Sequence, residues 1–290
     1  MTNPDLTTLG MTLSGNAKTA GVIGWPVDHS KSPRVHGYWL ARLGIDGAYI
    51  PLPVRPEDLS AALEALPKLG FQGANVTVPH KEAAAALCGE LEPHAARLGA
   101  VNTLKVTASG LRGANTDGLG FLNNLFHGAP DWRPENGPAV VLGAGGAARA
   151  VVVALLDAGA PHIRILNRTR EKAEAIAGEF GHRIEVVGWG DWARALPGAG
   201  LLVNTTSLGM AGQPTLSIDL SHLPPHALVN DIVYKPLRTD LLAAARARGN
   251  PAVDGLGMLL HQAVPGFETW FGVRPEVSDD LRAFVLDGAA

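Results

Sequence analysis

Cysteine is almost absent from this chain of 290 residues, which contains only Cys88. A single cysteine excludes an internal disulfide and a cysteine-built metal site. Because Cys88 ends the apolar helical run E-A-A-A-A-L-C, we expect it to pack in the core and to take no part in redox chemistry. His29, His36 and His80 lack acidic or cysteine partners at metal-ligand spacing, so no metal site is predicted.

Long apolar runs and a surplus of basic charge are also absent. No apolar stretch reaches 18 residues, and residues 1–18 lack the basic-then-apolar order of a signal peptide. The 24 basic and 27 acidic residues give a net charge of −3, without the positive surplus that nucleic acid or anionic membranes favour. We therefore expect a cytoplasmic protein that binds a small molecule, with neither nucleic acid nor membrane as a partner.

The chain does have enough length and apolar residues for two cores. Its composition is 46% hydrophobic, and at about 150 residues per domain its length favours two domains. Short β-rich runs alternate with amphipathic helices, a pattern typical of the α/β class. A polar segment rich in proline and glycine, residues 128–138, follows a predicted helix that begins near Thr116, and we place the domain boundary on that helix.

The first domain is predicted to be a mostly parallel sheet covered by helices. Ser32 and Pro33 give the N-cap and N1 signals of its first helix, and Gly44 closes that helix. Strands are predicted at 20–25, 48–54 and 71–78, further helices over 56–66 and from His80, and a β-hairpin over 101–116.

The second domain opens with a dinucleotide-binding pattern. A short strand at 139–142 precedes G-A-G-G-A-A-R, a helix, and a second strand that ends at Asn167. This βαβ context supports the G-x-G-x-x-A fingerprint, in which Gly143 makes the tight turn, Gly145 admits the pyrophosphate and Ala148 packs the helix closely.

The end of that second strand distinguishes NAD from NADP. NAD sites usually place an acidic residue there for the ribose 2'-hydroxyl, whereas this chain has N-R-T-R and no acid before Glu171. Two guanidinium groups suit a 2'-phosphate, so NADP is the predicted cofactor. The alternative, that Arg168 and Arg170 are solvated residues at a helix start, stays open.

Polar loops and one apolar helix complete the predicted second domain. Strands at 201–210 and 227–234 run into polar loops at their carboxyl ends, where open α/β sheets bind ligands. After a glycine-rich joint at 255–257, an apolar helix is expected to return to the first domain. Most of that helix should be buried, with Gln262 as a polar exception.

Motifs in both halves together resemble the shikimate dehydrogenase family. They extend from about Gly21 to Gly272 and are, in order, H-S-K-S-P, N-V-T-V-P-H-K, A-V-N-T, N-T-D-G, G-A-G-G-A-A-R, N-R-T, D-I-V-Y and D-G-L-G-M-L-L-x-Q. The resemblance implies NADPH-dependent reduction of 3-dehydroshikimate to shikimate, a step of aromatic amino-acid biosynthesis. It also implies a cleft between an N-terminal substrate domain and a Rossmann domain.

The resemblance further implies which residues act. Lys81 and Asp117 would be the catalytic pair. Substrate contacts would be Ser30, Ser32, Thr77, Lys81, Asn102, Asp117, Tyr234 and Gln262. Cofactor contacts would be Gly143, Ala144, Gly145, Gly146, Ala147, Asn167, Arg168, Thr169, Arg170, Glu171, Lys172, Ile232 and Gly255. The expected organisation is a mobile tail at 1–18, a substrate domain at 19–120 with 258–290, and an NADP domain at 121–257.

Elementary chemistry is compatible with these roles and with blander ones. A hydride that reaches a ketone carbon leaves an alkoxide that needs a proton, and Lys81 can supply it. Without the resemblance, Lys81 would be interpreted as an exposed surface lysine, and for Asp117 the role of a simple helix-capping acid stays open as an alternative. The hydroxyls of Ser30 and Ser32 alternate along the loop and could converge on a substrate carboxylate, while Ser32 is equally an N-cap, and the two roles are compatible.

Two other functions stay open at this point. A sister group oxidises quinate as well as shikimate and often uses NAD; N-R-T-R argues against that cofactor but says little about the substrate. A nonenzymatic ligand sensor built on the same two domains is expected to lack the proton donor, yet Lys81 and Asp117 are both present. The sequence leaves the oligomeric state open, with a homodimer among the options.

Overall fold

The computed structural model describes residues 13–287, and these form two compact units. The first unit comprises residues 13–116 and 262–287, and the second is Asp117–His261. The first twelve residues of the predicted tail, 1–18, lie outside the described residues. Ser14 donates hydrogen bonds to the Asp46 carboxylate through its backbone N–H, at 3.2 Å, and through its hydroxyl, so the chain is attached to the first unit from there on.

Strands and helices alternate along most of the described chain. The strands are β1 Lys18–Gly24, β2 Gly47–Pro53, β3 Phe71–Val76, β4 Glu90–Leu91, β5 Thr103–Thr107, β6 Gly110–Ala114, β7 Ala139–Leu142, β8 Ile163–Leu166, β9 Ile184–Val187, β10 Leu201–Asn204, β11 Leu228–Asp231 and β12 Ala252–Val253. The helices are α1 Ser32–Leu43, α2 Leu59–Lys68, α3 Lys81–Leu87, α4 Pro93–Leu98, α5 Asp117–Gly128, α6 Gly146–Asp157, α7 Arg170–Phe180, α8 Trp192–Ala195, α9 Asp240–Ala247, α10 Leu256–Phe271 and α11 Asp279–Asp287.

The first unit contains a six-stranded sheet in the order β2-β1-β3-β5-β6-β4. Strands β2, β1 and β3 pair in parallel, whereas β5 pairs antiparallel with both β3 and β6. The β5–β6 pair is the predicted hairpin. Because β5 runs antiparallel to β3, Asn102, the residue before β5, lies at the same edge of the sheet as the carboxyl ends of β1 and β3. The polar residues described below lie along this edge.

The second unit contains a six-stranded sheet in the order β12-β11-β10-β7-β8-β9, with every neighbouring pair parallel. The strand order reverses between β7 and β10, which makes this a doubly wound, Rossmann-type sheet. The predicted α/β class with a Rossmann second domain is therefore confirmed.

Two apolar layers cover the faces of this second sheet. Val141 of β7 belongs to the layer that includes α6, while its neighbours Val140 and Leu142 belong to the opposite layer. All three side chains are fully buried, which explains why β7 is continuously apolar instead of alternating. Each such side chain contributes about 1.5 to 3 kcal/mol through burial.

Two local predictions are corrected by the structure. Ser32 is not the N-cap of α1, because Lys31 occupies that position and no side chain caps the helix. Instead, the Ser32 N–H donates to the Ser30 hydroxyl at 3.3 Å, a local turn that sequence spacing alone does not distinguish from a cap. Cys88, which was predicted to pack inside the core, lies just after α3 and is half-buried against the apolar core of the first unit. Burial raises the pKa of the Cys88 thiol to about 11.

Candidate active site

The loops after β1 and β3 run side by side at one edge of the first sheet. The Thr77 N–H donates to the Ile23 carbonyl at 2.9 Å, and the Trp25 N–H donates to the Val78 carbonyl at 3.2 Å. These bonds hold the segment that carries Thr77 and Lys81 against the segment that leads to Ser30 and Ser32. Four of the predicted substrate residues therefore lie in these adjacent loops or at the helix starts that follow them.

Lys81 is the first residue of α3, and its backbone is fixed on both sides. The preceding His80 is buried, with its Nε2 atom 2.7 Å from the Val54 carbonyl. The Lys81 carbonyl accepts a hydrogen bond from the Val101 N–H at 3.0 Å. Lys81 itself is half-buried, so the predicted proton donor sits on a rigid backbone and retains access to solvent.

Asn102 is the centre of a buried polar network at the same edge. Its Oδ1 atom accepts the Thr116 N–H at 2.9 Å, and its Nδ2 atom donates to the Thr116 hydroxyl at 3.0 Å and to Gln262 Oε1 at 3.2 Å. The Thr116 hydroxyl also lies 2.8 Å from the Gln262 carbonyl, to which it can donate. Buried amides held in this way are restricted to one orientation, which suits substrate recognition.

Asp117 follows Thr116 directly and begins α5. It is buried and occupies the first turn of the helix, where the macrodipole favours a carboxylate. By the division of the chain, Asp117 and Tyr234 belong to the second unit, and the remaining predicted substrate residues belong to the first.

In the second unit, the predicted glycine-rich turn lies at the point where the strand order reverses. Gly143 has a φ of +112°, and a Cβ there would lie 2.6 Å from Thr205 Oγ1, so only glycine fits. In contrast, a Cβ at Gly145 or Gly146 would meet no atom within 4 Å. Open space therefore faces the N-terminus of α6, where backbone N–H groups and the helix dipole favour a phosphate.

The segment after β8 differs in the state of its two arginines. Arg170 begins α7 and forms an ion pair with Glu174 at 2.8 Å, whereas Arg168 is exposed and has no partner within residues 13–287. The Asn167 amide donates to the Thr169 carbonyl at 2.8 Å and shapes the turn. Arg168 is thus available for a 2'-phosphate, and the donors of this edge fit the predicted NADP.

Asp231 organises the loop after β11, a role that was not predicted. Its carboxylate accepts hydrogen bonds from the Asn204 amide at 2.9 Å, the Val233 N–H at 3.1 Å and the Thr239 hydroxyl at 2.7 Å. Burial raises the pKa of the Asp231 carboxyl. The signal that could have revealed it is an acid and an amide, Asp231 and Asn204, as the last residues of two buried strands.

The same loop carries two predicted cofactor or substrate contacts. The Ile232 N–H donates to the Asn204 carbonyl at 3.1 Å, and a Cβ at Gly255 would lie 2.2 Å from the Ile232 carbonyl oxygen. Glycine at 255 is therefore required for the approach of two backbone segments. Tyr234 is half-buried, and burial raises the pKa of its phenol.

Residues 13–287 contain neither a candidate membrane span nor a candidate metal cluster. No helix there is long and apolar enough to span a membrane. No group of three or more His, Cys, Asp or Glu residues in that range is placed to hold a metal ion.

Three family models match the chain. Residues 22–104 match the shikimate dehydrogenase substrate binding domain, residues 133–210 match shikimate / quinate 5-dehydrogenase, and residues 255–283 match the shikimate 5'-dehydrogenase C-terminal domain. A curated relative from Paramagnetospirillum magneticum, named shikimate dehydrogenase (NADP(+)), is 63% identical over 275 residues, 94% of this chain and 100% of the relative. This chain belongs to the shikimate dehydrogenase family.

Solved structures agree with this membership. A shikimate 5-dehydrogenase from Thermus thermophilus, in complex with NADP(H) and shikimate, is 37% identical with a TM-score of 0.83, covering 93% of this chain and 99% of its own. A quinate dehydrogenase from Corynebacterium glutamicum, in complex with NAD, is 32% identical with a TM-score of 0.87 at the same coverage, 93% and 99%. The family predicted from the sequence motifs is confirmed.

Proposed function

We propose that this chain catalyses the reversible NADPH-dependent reduction of 3-dehydroshikimate to shikimate. The observation that carries the proposal is the 63% identity to a relative named shikimate dehydrogenase (NADP(+)) over 94% of the chain. This relationship confirms the predicted reaction, the oxidoreductase class and the use of NADP.

The second unit holds the cofactor, whose nicotinamide carries the hydride when bound. The N–H groups at the start of α6, beside Gly145 and Gly146, bind the pyrophosphate. Arg168, together with Lys172, binds the 2'-phosphate by charge-assisted hydrogen bonds. Gly255 keeps the backbone around Ile232 close enough to line the same edge of the sheet.

Lys81 moves the proton in this proposal. In the direction of reduction its ammonium group donates a proton to the carbonyl oxygen as that oxygen becomes an alkoxide, and in the direction of oxidation its amine takes the hydroxyl proton. The Lys81 carbonyl accepts a hydrogen bond from the Val101 N–H, and this bond fixes the backbone from which the Lys81 side chain extends. Asp117 supplies the second charge of the pair.

The polar edge of the first sheet binds the substrate. The hydroxyls of Ser30 and Ser32 donate to the substrate carboxylate, and Thr77, Asn102 and Gln262 bind the ring hydroxyls. Thr116 and Gln262 hold the Asn102 side chain in a single orientation, and this fixed polar network favours one arrangement of substrate hydroxyls.

A dual activity on quinate is the second candidate, and the similarity to a quinate dehydrogenase in complex with NAD supports it. Four assays separate the candidates: shikimate or quinate with NADP or NAD, followed by absorbance near 340 nm. We expect shikimate with NADP to be the fastest pair by far. Comparable rates with quinate and NAD would overturn the assignment, and shikimate binding without turnover under any of the four conditions would identify a sensor.

Two predictions from the sequence remain predictions. A homodimer is tested by sedimentation equilibrium of the purified chain. A cytoplasmic location is tested by fractionation of the source cells.

A further inference from the structure

Two cations stand at the start of α1, where a helix disfavours them. Lys31 is the N-cap of α1 and Arg34 lies in its first turn, while that turn contains no acidic residue. The positive end of the helix dipole repels both charges, so an isolated α1 would be destabilised by them. Their placement therefore needs another explanation.

Contacts with the C-terminus of α11 explain why these two cations lie at the start of α1. Lys31 Nζ donates to the Val285 carbonyl at 2.9 Å, and Arg34 Nη2 donates to the Phe284 carbonyl at 2.7 Å. The Arg34 guanidinium also lies 4.4 Å from the centroid of the Phe284 ring. The centroids of the Tyr38 and Phe284 rings are 5.2 Å apart. Carbonyls in the last turn of a helix lack partners within the helix, and cations stabilise that end.

Lys31 differs from Arg34 in its position along the chain. It lies between Ser30 and Ser32, whereas Arg34 lies inside α1. The Ser32 N–H donates to the Ser30 hydroxyl at 3.3 Å, which leaves the hydroxyl hydrogen of Ser30 able to donate elsewhere. The bond from Lys31 to α11 therefore anchors the residue that separates Ser30 from Ser32 in the chain.

We propose that Lys31 is a positioning residue, which uses its bond to the Val285 carbonyl to hold the Ser30 and Ser32 hydroxyls at the spacing that a substrate carboxylate requires. This inference rests on the proposed function. Helix α11, distant in sequence from the serine loop, is on this account part of the substrate-binding apparatus. Arg34 attaches the same helix but does not set the loop.

Three variants test the proposal. Lys31→Met removes the donor and keeps the length of the side chain, Lys31→Arg keeps the donor, and Arg34→Met removes the neighbouring cation as a matched control. We expect Lys31→Met to raise KM for shikimate at least fivefold at saturating NADP, with kcat and NADP binding nearly unchanged. Lys31→Arg should restore KM to within about twofold of the parent, and Arg34→Met should lower the melting temperature while KM stays within about twofold.

A second measurement tests directly whether the Lys31 bond holds the serine loop in place. Hydrogen exchange is followed by mass spectrometry on peptides that cover residues 27–35, without substrate or cofactor. Positioning predicts faster exchange there in Lys31→Met than in the parent and in Arg34→Met. Unchanged exchange, or equal changes in KM for Lys31→Met and Arg34→Met, would overturn the proposal. Absence of shikimate oxidation by the parent protein would instead refute the proposed function.

Discussion

At the scale of single residues, the site depends on which charged side chains are already engaged. Arg170 is paired with Glu174, whereas its near neighbour Arg168 has no partner within residues 13–287. The sequence shows two equivalent arginines, because a contact made one turn along a helix is visible only when the helix and its rotamers are known. The structure therefore ranks them, and Arg168 carries the cofactor prediction.

We expect Arg168→Asp to weaken NADP binding by about 1 to 3 kcal/mol, since a charge-assisted bond to the 2'-phosphate becomes a repulsion. NAD binding should change little because NAD has no such phosphate. Dissociation constants for both cofactors are measured by fluorescence titration. Arg170→Asp serves as the comparison and should have a smaller effect, and an unaltered NADP to NAD ratio in Arg168→Asp would remove the main support for this phosphate contact.

Lys81→Ala should lower kcat by about 100-fold or more and leave NADPH binding nearly intact, because general acid–base catalysis commonly contributes that factor. Asp117→Asn should have a comparable effect. Lys105→Ala is the control, since Lys105 is an exposed lysine on β5 of the same unit. Steady-state kinetics and NADPH titration decide the matter, and near-normal turnover in Lys81→Ala would contradict the assigned role.

At the scale of secondary-structure elements, the sequence predicts those parts whose signal is local. Strand β7 was predicted with its observed bounds and the end of β8 to within one residue, because an apolar run, a Gly143 turn and a helix follow one another within a few residues. The two-residue strands β4 and β12 were not predicted, since a run that short has no periodicity. The bonds of Asp231 were missed because Asn204 lies 27 residues away on a neighbouring strand, and no local pattern marks the loop that returns Thr239 to Asp231.

Gly255→Ala should disrupt the loop after β11, because its Cβ would lie 2.2 Å from the Ile232 carbonyl oxygen and the backbone would have to shift. We expect a loss of about 1 to 3 kcal/mol in the free energy of unfolding, with weaker NADP binding. Gly178→Ala in α7 is a matched control, since a Cβ there meets nothing within 4 Å and alanine favours a helix. Urea unfolding and NADP titration are the measurements. Equal stability of the two variants would show that the approach of residues 232 and 255 is not constrained.

At the scale of the whole molecule, each unit has its own core, and the first contains a buried histidine. His36 is fully buried and stacks on Tyr49 with ring centroids 3.9 Å apart, and Trp39, Phe267 and Trp270 surround it. Among the described residues neither ring nitrogen has a partner with full hydrogen-bond geometry, and a weak interaction with the Asn75 side chain offsets the effect of burial on the His36 pKa only in part. Phe267 and Trp270 belong to α10, so this cluster joins the C-terminal part of the chain to the first unit.

Burial of His36 should make the first unit sensitive to acid. Burial lowers the pKa of His36 to about 3, whereas an unfolded histidine titrates near 6.5. Between these values the unfolded chain binds a proton that the folded chain excludes. The free energy of unfolding should therefore fall by about 1.4 kcal/mol for each pH unit below about 6 until the folded imidazole itself titrates.

His36→Leu should remove this part of the pH dependence. Near pH 7.5 we expect its stability to lie within about 1 kcal/mol of the parent, because lost stacking on Tyr49 is offset by the removal of two buried ring nitrogens that lack partners with full hydrogen-bond geometry among the described residues. On going from pH 7.5 to pH 5, the difference in free energy of unfolding between His36→Leu and the parent should shift in favour of the variant by about 1 to 2 kcal/mol. Urea unfolding at both pH values, followed by tryptophan fluorescence, reports on this unit through Trp39 and Trp270, which contact His36. The control is His182→Leu, at an exposed histidine, and its free energy of unfolding should change with pH as that of the parent does. If the free energy of unfolding of His36→Leu shows the same change, another group causes the acid sensitivity.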